Sequence, residues 1–129
     1  MKTVAVIARV LLGLIFLIFG SDSFIHFIPA TPPTTGHAGA FIGALIGSHY
    51  VLFVAGIQVI AGVLLLVNRF VPLALVLLAP VIANIIVFHL TMEPSGLPPG
   101  LFTAVLWFVL ASRLRVYFAP LLVQKAILS

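Results

Sequence analysis

Long runs of apolar residues alternate with short polar breaks along the whole chain. The two longest breaks, at residues 29–36 and 92–100, are rich in proline, which fixes φ, lacks an amide donor and interrupts helices. A helix needs ~20 mostly apolar residues to cross a bilayer. The pattern therefore predicts four membrane-spanning helices, at about residues 4–28, 50–67, 70–91 and 101–118.

Two further segments are predicted to lie at the membrane surface. Residues 39–47 place Gly39, Gly43 and Gly47 four apart, and this spacing gives a flat helical stripe that another helix can approach closely. We predict a short interfacial helix that serves helix packing, with an extension of the second span as the alternative. The tail, residues 116–128, is expected to lie along the interface.

Composition supports a membrane protein. Of the 129 residues, 64% are hydrophobic and 6% are charged, whereas soluble domains are ~25% charged. The chain is predicted to be one transmembrane domain, residues 1–129, with its first apolar run retained rather than cleaved as a signal peptide. It contains no cysteine, which excludes a thiol relay and a Cys-ligated iron–sulfur cluster, so redox chemistry would need a bound cofactor or a partner.

The basic residues fall on one side of the predicted membrane. They lie near the N-terminus, between the second and third spans, and after the fourth span, and the positive-inside rule then puts both termini in the cytoplasm. Arg9, inside the first span, is expected to reach back to the headgroups.

Short loops make consecutive spans antiparallel neighbours, so the predicted fold is all-α, an integral membrane four-helix up-and-down bundle. The cations form no basic cluster, so we expect contact with the lipid bilayer and no nucleic acid. The six basic residues are Lys2, Arg9, Arg69, Arg113, Arg115 and Lys125.

Polar residues within the spans are ordered by depth toward the other side. With a rise of 1.5 Å per residue counted from Arg69, Gln58 lies at ~16 Å, Asn84 at ~22 Å, and His49 and His89 both at ~30 Å. Amides commonly join helices in membranes, and this alternative is open for Gln58 and Asn84. Gln58 shares its helical face with small residues that indicate a helix contact, namely Ala55, Ala61 and Gly62.

Asp22 and His26 are predicted to pair. They are four residues apart on the first span and share one face, so each could hydrogen-bond to the other. An ionisable residue inside a span costs ~2.5 to 3.5 kcal/mol, which makes Asp22 a candidate functional residue. The alternative is that Asp22 is hydrated near the boundary or bonded to Ser21 or Ser23. The candidate ligand-binding residues are thus Asp22, His26, Gln58, Asn84 and His89.

A haem or metal site is the weaker interpretation of the histidines. His49 and His89, level in depth, could ligate one haem iron, and His89 with Glu93 has the spacing of helical metal ligands. No dense motif such as H-E-x-x-H is present, so neither group is predicted. His37 is expected to be solvated in a flexible loop.

Three stretches of the chain resemble the DoxX-like family of small four-helix membrane proteins. They are LLGLIFLIFGSDSFIHF, GIQVIAGVLLLVNRFVPLALVLLAPVIANIIVFHL and EPSGLPPG. The resemblance implies a multi-pass protein of the prokaryotic cytoplasmic (inner) membrane, in a superfamily that includes subunits of thiosulfate:quinone oxidoreductase and also assembly or chaperone-like proteins. The chain departs from the family at Gln58, where a glutamate is frequent, which puts a proton-coupled role there in doubt.

Two functions follow as hypotheses. In the first, the polar residues bind a quinone headgroup or similar amphiphile, since histidine can donate to a quinone oxygen and exchange protons. A redox partner subunit then performs the catalysis, and the chain has no activity of its own. In the second, the chain is a non-catalytic scaffold or assembly subunit, with a partner or as a homo-oligomer. The catalytic residues and the substrate are not indicated by the sequence.

Overall fold

The computed structural model describes residues 2–128, and this part of the chain is helical with no β-strand. The helices are α1 (Lys2–Ile25), α2 (Gly36–Gly47), α3 (Tyr50–Leu66), α4 (Val71–Thr91), α5 (Leu97–Arg113) and the short α6 (Arg115–Phe118). Single turns of 3-10 helix precede α5 at Pro94–Gly96 and follow α6 at Ala119–Leu122.

Three of these helices are long and apolar enough to cross a membrane: α1, α4, and α5 together with its preceding turn. A fourth crossing is provided if α2 and α3, which meet at an angle of 81°, form one bent span. The chain thus has three or four helices suited to a bilayer.

Several predicted boundaries differ from the structure. The first span was expected to end at 28, but α1 ends at Ile25. The fourth span was expected at 101–118, but its helix starts at Leu97 and ends at Arg113, because proline is well accommodated in a first helical turn. α2 starts at Gly36 rather than 39. His37 therefore lies on a helix, exposed, and not in the loop where it was expected.

α1 and α3 pack with their backbones close together through small residues. A Cβ added at Gly62 would lie 2.7 Å from the amide nitrogen of Leu17, and one added at Gly20 would lie 3.0 Å from the carbonyl oxygen of Ala55. Ala55 is 2% exposed. The face of small residues predicted around Gln58 is thus confirmed as a helix contact, and its partner is α1.

The other long helices complete a ring of contacts, in which α1 touches α3 and α5, and α4 touches the same two helices. Between α4 and α5, the indole nitrogen of Trp107 donates to the carbonyl oxygen of Leu75 at 2.8 Å. The core contains four fully buried leucines: Leu12, Leu65, Leu75 and Leu78. Large apolar side chains also cover the outside, as at Phe19 (56% exposed) and Phe108 (66% exposed), which suits a surface surrounded by lipid.

The start of α1, the turn between α3 and α4, and the end of α5 meet at one end of the molecule, which we call the basic end. A shallow pocket there is lined by residues of all three segments, including Lys2, Arg9, Asn68 and Leu114. Arg9 does not simply extend toward the headgroups. Its Nη1 donates to the carbonyl oxygens of Leu65 and Leu66, at 3.3 Å for Leu66, and so places a cation on the last carbonyl groups of α3.

Candidate functional site

A groove between α2, α3 and α4 is the candidate site. It has a volume of about 570 Å³, within the ~300 to 1,000 Å³ typical of small-molecule sites. The bend between α2 and α3 creates it, because α2 turns away from the axis of α3 and its side chains form a wall. Since α4 starts at the basic end, the residues at its C-terminal end place the groove toward the far end of the molecule.

The lining is mostly apolar with a few separated polar groups. Three of the five candidate residues, Gln58, Asn84 and His89, line the groove. Asp22 and His26 do not belong to its lining. The structure therefore brings together the candidates of α3 and α4 and leaves out those of α1.

The predicted pairing of Asp22 with His26 is wrong. α1 ends at Ile25, and His26 has left the helix with φ +50° and an exposed side chain. The spacing of four residues therefore no longer places the two side chains on one helical face. Asp22 Oδ1 instead accepts a hydrogen bond from the backbone amide of Ile28 at 2.6 Å.

His89 is a half-buried side chain of the groove, with 19% of it exposed. Its Nδ1 lies 2.8 Å from the backbone carbonyl oxygen of Glu93 and 3.5 Å from Glu93 Oε2. The ring packs edge-on against Phe88, with centroids 5.0 Å apart. A Cβ at Gly96 would overlap the ring, so only glycine lets the loop before α5 lie this close. These contacts fix the orientation of the imidazole.

Asn84 and Gln58 do not join helices to one another. The Asn84 amide nitrogen donates to the carbonyl oxygen of Pro80 in its own helix at 2.8 Å. No side-chain hydrogen bond within residues 2–128 uses the Gln58 amide. The interpretation that these amides form hydrogen bonds between helices is thus wrong for this chain by itself, and both retain hydrogen-bonding groups in the groove.

The aromatic wall of the groove was missed by the sequence analysis. Phe41 of α2 lies against Phe88 of α4, with ring centroids 5.6 Å apart, and Tyr50 and Phe53 of α3 also line the space. The sequence contains a signal for these residues, because aromatic residues cluster in the segments expected at one membrane interface. Their convergence depends on the angle between α2 and α3, which the sequence pattern does not specify.

The histidine and acidic residues do not assemble a metal centre in the described part of the chain. No group of three or more such side chains within residues 2–128 is placed to hold a metal ion. His49 precedes α3 with φ +64° and an exposed side chain, and it does not line the groove with His89. Glu93 instead accepts a hydrogen bond from the Ser95 hydroxyl.

The glycine stripe of α2 does not pack against another helix of this chain. A Cβ added at Gly43 or Gly47 would meet no atom within 4 Å among the described residues, and one at Gly39 would overlap the backbone of Thr34 in the preceding loop. The prediction of helix packing is therefore wrong for contacts within the chain. A contact of Gly43 and Gly47 with another molecule stays a prediction.

Comparison with protein-family models, with curated proteins and with solved structures finds no match for this chain. The resemblance to the DoxX-like family therefore stays a prediction from the residues themselves. Chemically, the groove offers a wide apolar and aromatic surface with an imidazole and two amides, which suits the binding of a flat amphiphile with a polar head.

Proposed function

We propose that this chain is a four-helix integral membrane protein that binds the headgroup of a quinone-type amphiphile in the groove between α2, α3 and α4. The helix bundle would have both termini in the cytoplasm, as the positions of the cations indicate. The resemblance to DoxX-like proteins supports placing it in the inner membrane of a prokaryote, beside a redox partner subunit that performs the catalysis.

The observation that carries the proposal is the pairing of an apolar groove with polar side chains that keep free hydrogen-bonding atoms. Inside a bilayer, a polar group must find a partner in the protein, a ligand or an aqueous cavity. The Gln58 amide has no side-chain partner in the described residues, and His89 and Asn84 line the same space. The two ring oxygens of a quinone or of its hydroquinone would bond to these groups, the ring would cover the aromatic wall, and the isoprenoid tail would extend into the lipid.

The direct test is to ask whether the purified protein retains such a molecule. Lipids extracted from the detergent-purified wild type are analysed by mass spectrometry for quinones and hydroquinones. Gln58→Leu and His89→Phe remove polar groups of the groove and keep side-chain volume similar, so each should lower the combined occupancy by quinone and hydroquinone by about tenfold, the equivalent of ~1.4 kcal/mol per hydrogen bond lost.

Two matched variants separate a ligand site from general damage. His26→Phe and His49→Phe make the same chemical change at exposed positions outside the groove, and should leave the combined occupancy unchanged. If the wild type retains neither quinone nor hydroquinone and the groove variants only lower the melting temperature, the quinone site is excluded. The non-catalytic scaffold or assembly subunit then becomes the better account.

A further inference from the structure

His89 lines the groove and keeps one nitrogen free as a hydrogen-bond acceptor. The Glu93 carbonyl oxygen, 2.8 Å from Nδ1, can only accept a hydrogen bond, and so can an ionised Glu93 carboxylate, whose Oε2 lies 3.5 Å from Nδ1. The ring hydrogen of the neutral imidazole must therefore be on Nδ1. The other nitrogen, Nε2, then carries a lone pair and no hydrogen.

Nε2 is accessible and held in place. No side-chain hydrogen bond within residues 2–128 uses it, and no buried side-chain nitrogen or oxygen in that part of the chain lacks a partner. Nε2 is therefore not buried. Gly96 lies against the Cε1–Nδ1 edge of the ring, and this contact and the bond to Glu93 hold the ring in place.

The two amides of the groove have no such preference. Asn84 uses one amide hydrogen on Pro80 and keeps a second hydrogen together with its carbonyl oxygen. The Gln58 amide also carries both donors and an acceptor. Each amide can hydrogen-bond to either a hydroxyl or a carbonyl of a ligand. Among these three side chains, only His89 therefore distinguishes a ligand hydroxyl from a ligand carbonyl.

We propose that the groove selects the reduced form of its ligand, a hydroquinone over the corresponding quinone, through His89 Nε2. This inference rests on the proposed function. A hydroquinone hydroxyl donates to Nε2, whereas a quinone carbonyl would place its lone pairs against that of Nε2 and leave both unpaired. Sites built around a hydroxyl strongly reject analogues that lack the hydrogen, because a desolvated polar group then has no partner.

The experiment compares two matched ligand pairs on the full-length protein in detergent. The first pair is a short-chain hydroquinone and its quinone, titrated without oxygen and with the redox state checked by absorbance. The second pair is an alkylphenol and its methyl ether, which cannot change redox state. We expect the hydroquinone and the phenol to bind about tenfold or more tightly than their counterparts.

Two variants locate the preference. His89→Phe keeps the ring and its contact with Phe88 but removes the acceptor, so the affinity ratio within each pair should fall to about one. Asn84→Ala should weaken both members of a pair alike and leave the ratio unchanged. If His89→Phe does not fold, the ratios measured on the wild type and on Asn84→Ala still decide whether the groove selects the reduced form.

Each outcome has a distinct meaning. Equal affinities in the wild type, or tighter binding of the quinone, would overturn the selection of the reduced form while leaving the groove as a ligand site. A ratio that persists in His89→Phe would show that His89 does not produce it. Failure of all four ligands to bind would overturn the proposed function and this inference with it.

Discussion

The carboxylate of Asp22 accepts a hydrogen bond from the backbone amide of Ile28 at 2.6 Å. This bond spans the end of α1 and holds the first residues of the proline-rich loop against the helix. It gives Asp22 a partner other than His26, and it accounts for a half-buried acidic residue near a membrane boundary without any ligand.

Asp22→Ala should destabilise the fold and leave the groove intact. Hydrogen bonds to charged groups contribute about 1.5 to 3 kcal/mol, so we expect a loss of that size in the free energy of unfolding, measured by denaturant titration in detergent. Asp22→Asn keeps an acceptor and should lose less. His26→Ala, at an exposed neighbour, should change little. A loss of ligand from the groove in Asp22→Asn would contradict the assignment of Asp22 to the loop.

The contact between α1 and α3 should tolerate no added carbon at Gly62. A Cβ there would lie 2.7 Å from Leu17 N and 2.9 Å from the carbonyl oxygen of Gly13, so Gly62→Ala must separate the helices, at about 1 to 3 kcal/mol. Gly56→Ala is the matched control on the same helix, because a Cβ there meets nothing within 4 Å. It should leave the unfolding transition unchanged or raise it slightly. Equal effects of the two substitutions would contradict the close packing.

Gly43→Leu tests the open stripe of α2 separately. Since no atom of the described residues lies near an added Cβ at Gly43, the unfolding transition of the monomer should not change. If the stripe contacts another molecule, Gly43→Leu should weaken that association while Gly43→Ala is tolerated. Analytical ultracentrifugation in detergent measures this association. Identical self-association of the wild type, Gly43→Leu and Gly43→Ala would show that the stripe makes no contact between copies of the chain.

Arg9 should stabilise the basic end through its hydrogen bonds as well as through its positive charge. Arg9→Met removes the donor to the Leu65 and Leu66 carbonyl oxygens and a cation at the negative end of the α3 dipole, which we expect to cost about 1 to 3 kcal/mol. Lys2→Met, at an exposed position of the same end, is the control and should cost under about 0.5 kcal/mol. Similar losses in both would indicate a general effect of charge.

The orientation of the protein in the membrane can be tested with single introduced cysteines, because the chain has no cysteine of its own. Cysteines at the exposed residues Thr35 and Ser95 should react with an impermeant maleimide in intact cells. Cysteines at the exposed residues Asn68 and Gln124 should react only after the membrane is permeabilised. The reverse pattern would put the groove at the cytoplasmic side.

The positions of the helices could be predicted from the sequence because apolar runs and proline breaks act locally. Contacts between elements were harder to predict. Gly13 and Gly20 of α1 lie seven residues apart and pack against α3. Helix packing was instead predicted for the more regularly spaced glycines of α2. Spacing alone shows that a face is flat, and the partner of that face depends on how the helices are arranged.

The candidate site could be predicted only in part. The depths of Gln58, Asn84 and His89 followed from the helical rise, and these three residues share the groove. The pairing of Asp22 with His26 failed because it assumed that α1 continues past Ile25. The groove itself depends on the 81° angle between α2 and α3, which arises at a backbone position, His49, with φ +64°.

The most direct test of the central claim is to locate a bound quinone analogue. A hydroquinone with a photoreactive diazirine on its ring is bound to the purified protein, irradiated and mapped by peptide mass spectrometry. The account predicts labels on the groove residues Phe41, Tyr50 and Phe88 that unmodified hydroquinone competes away, and only uncompeted background on the lipid-facing Phe19 and Phe108. Labels spread over the apolar surface, with no competition in the groove, would contradict it.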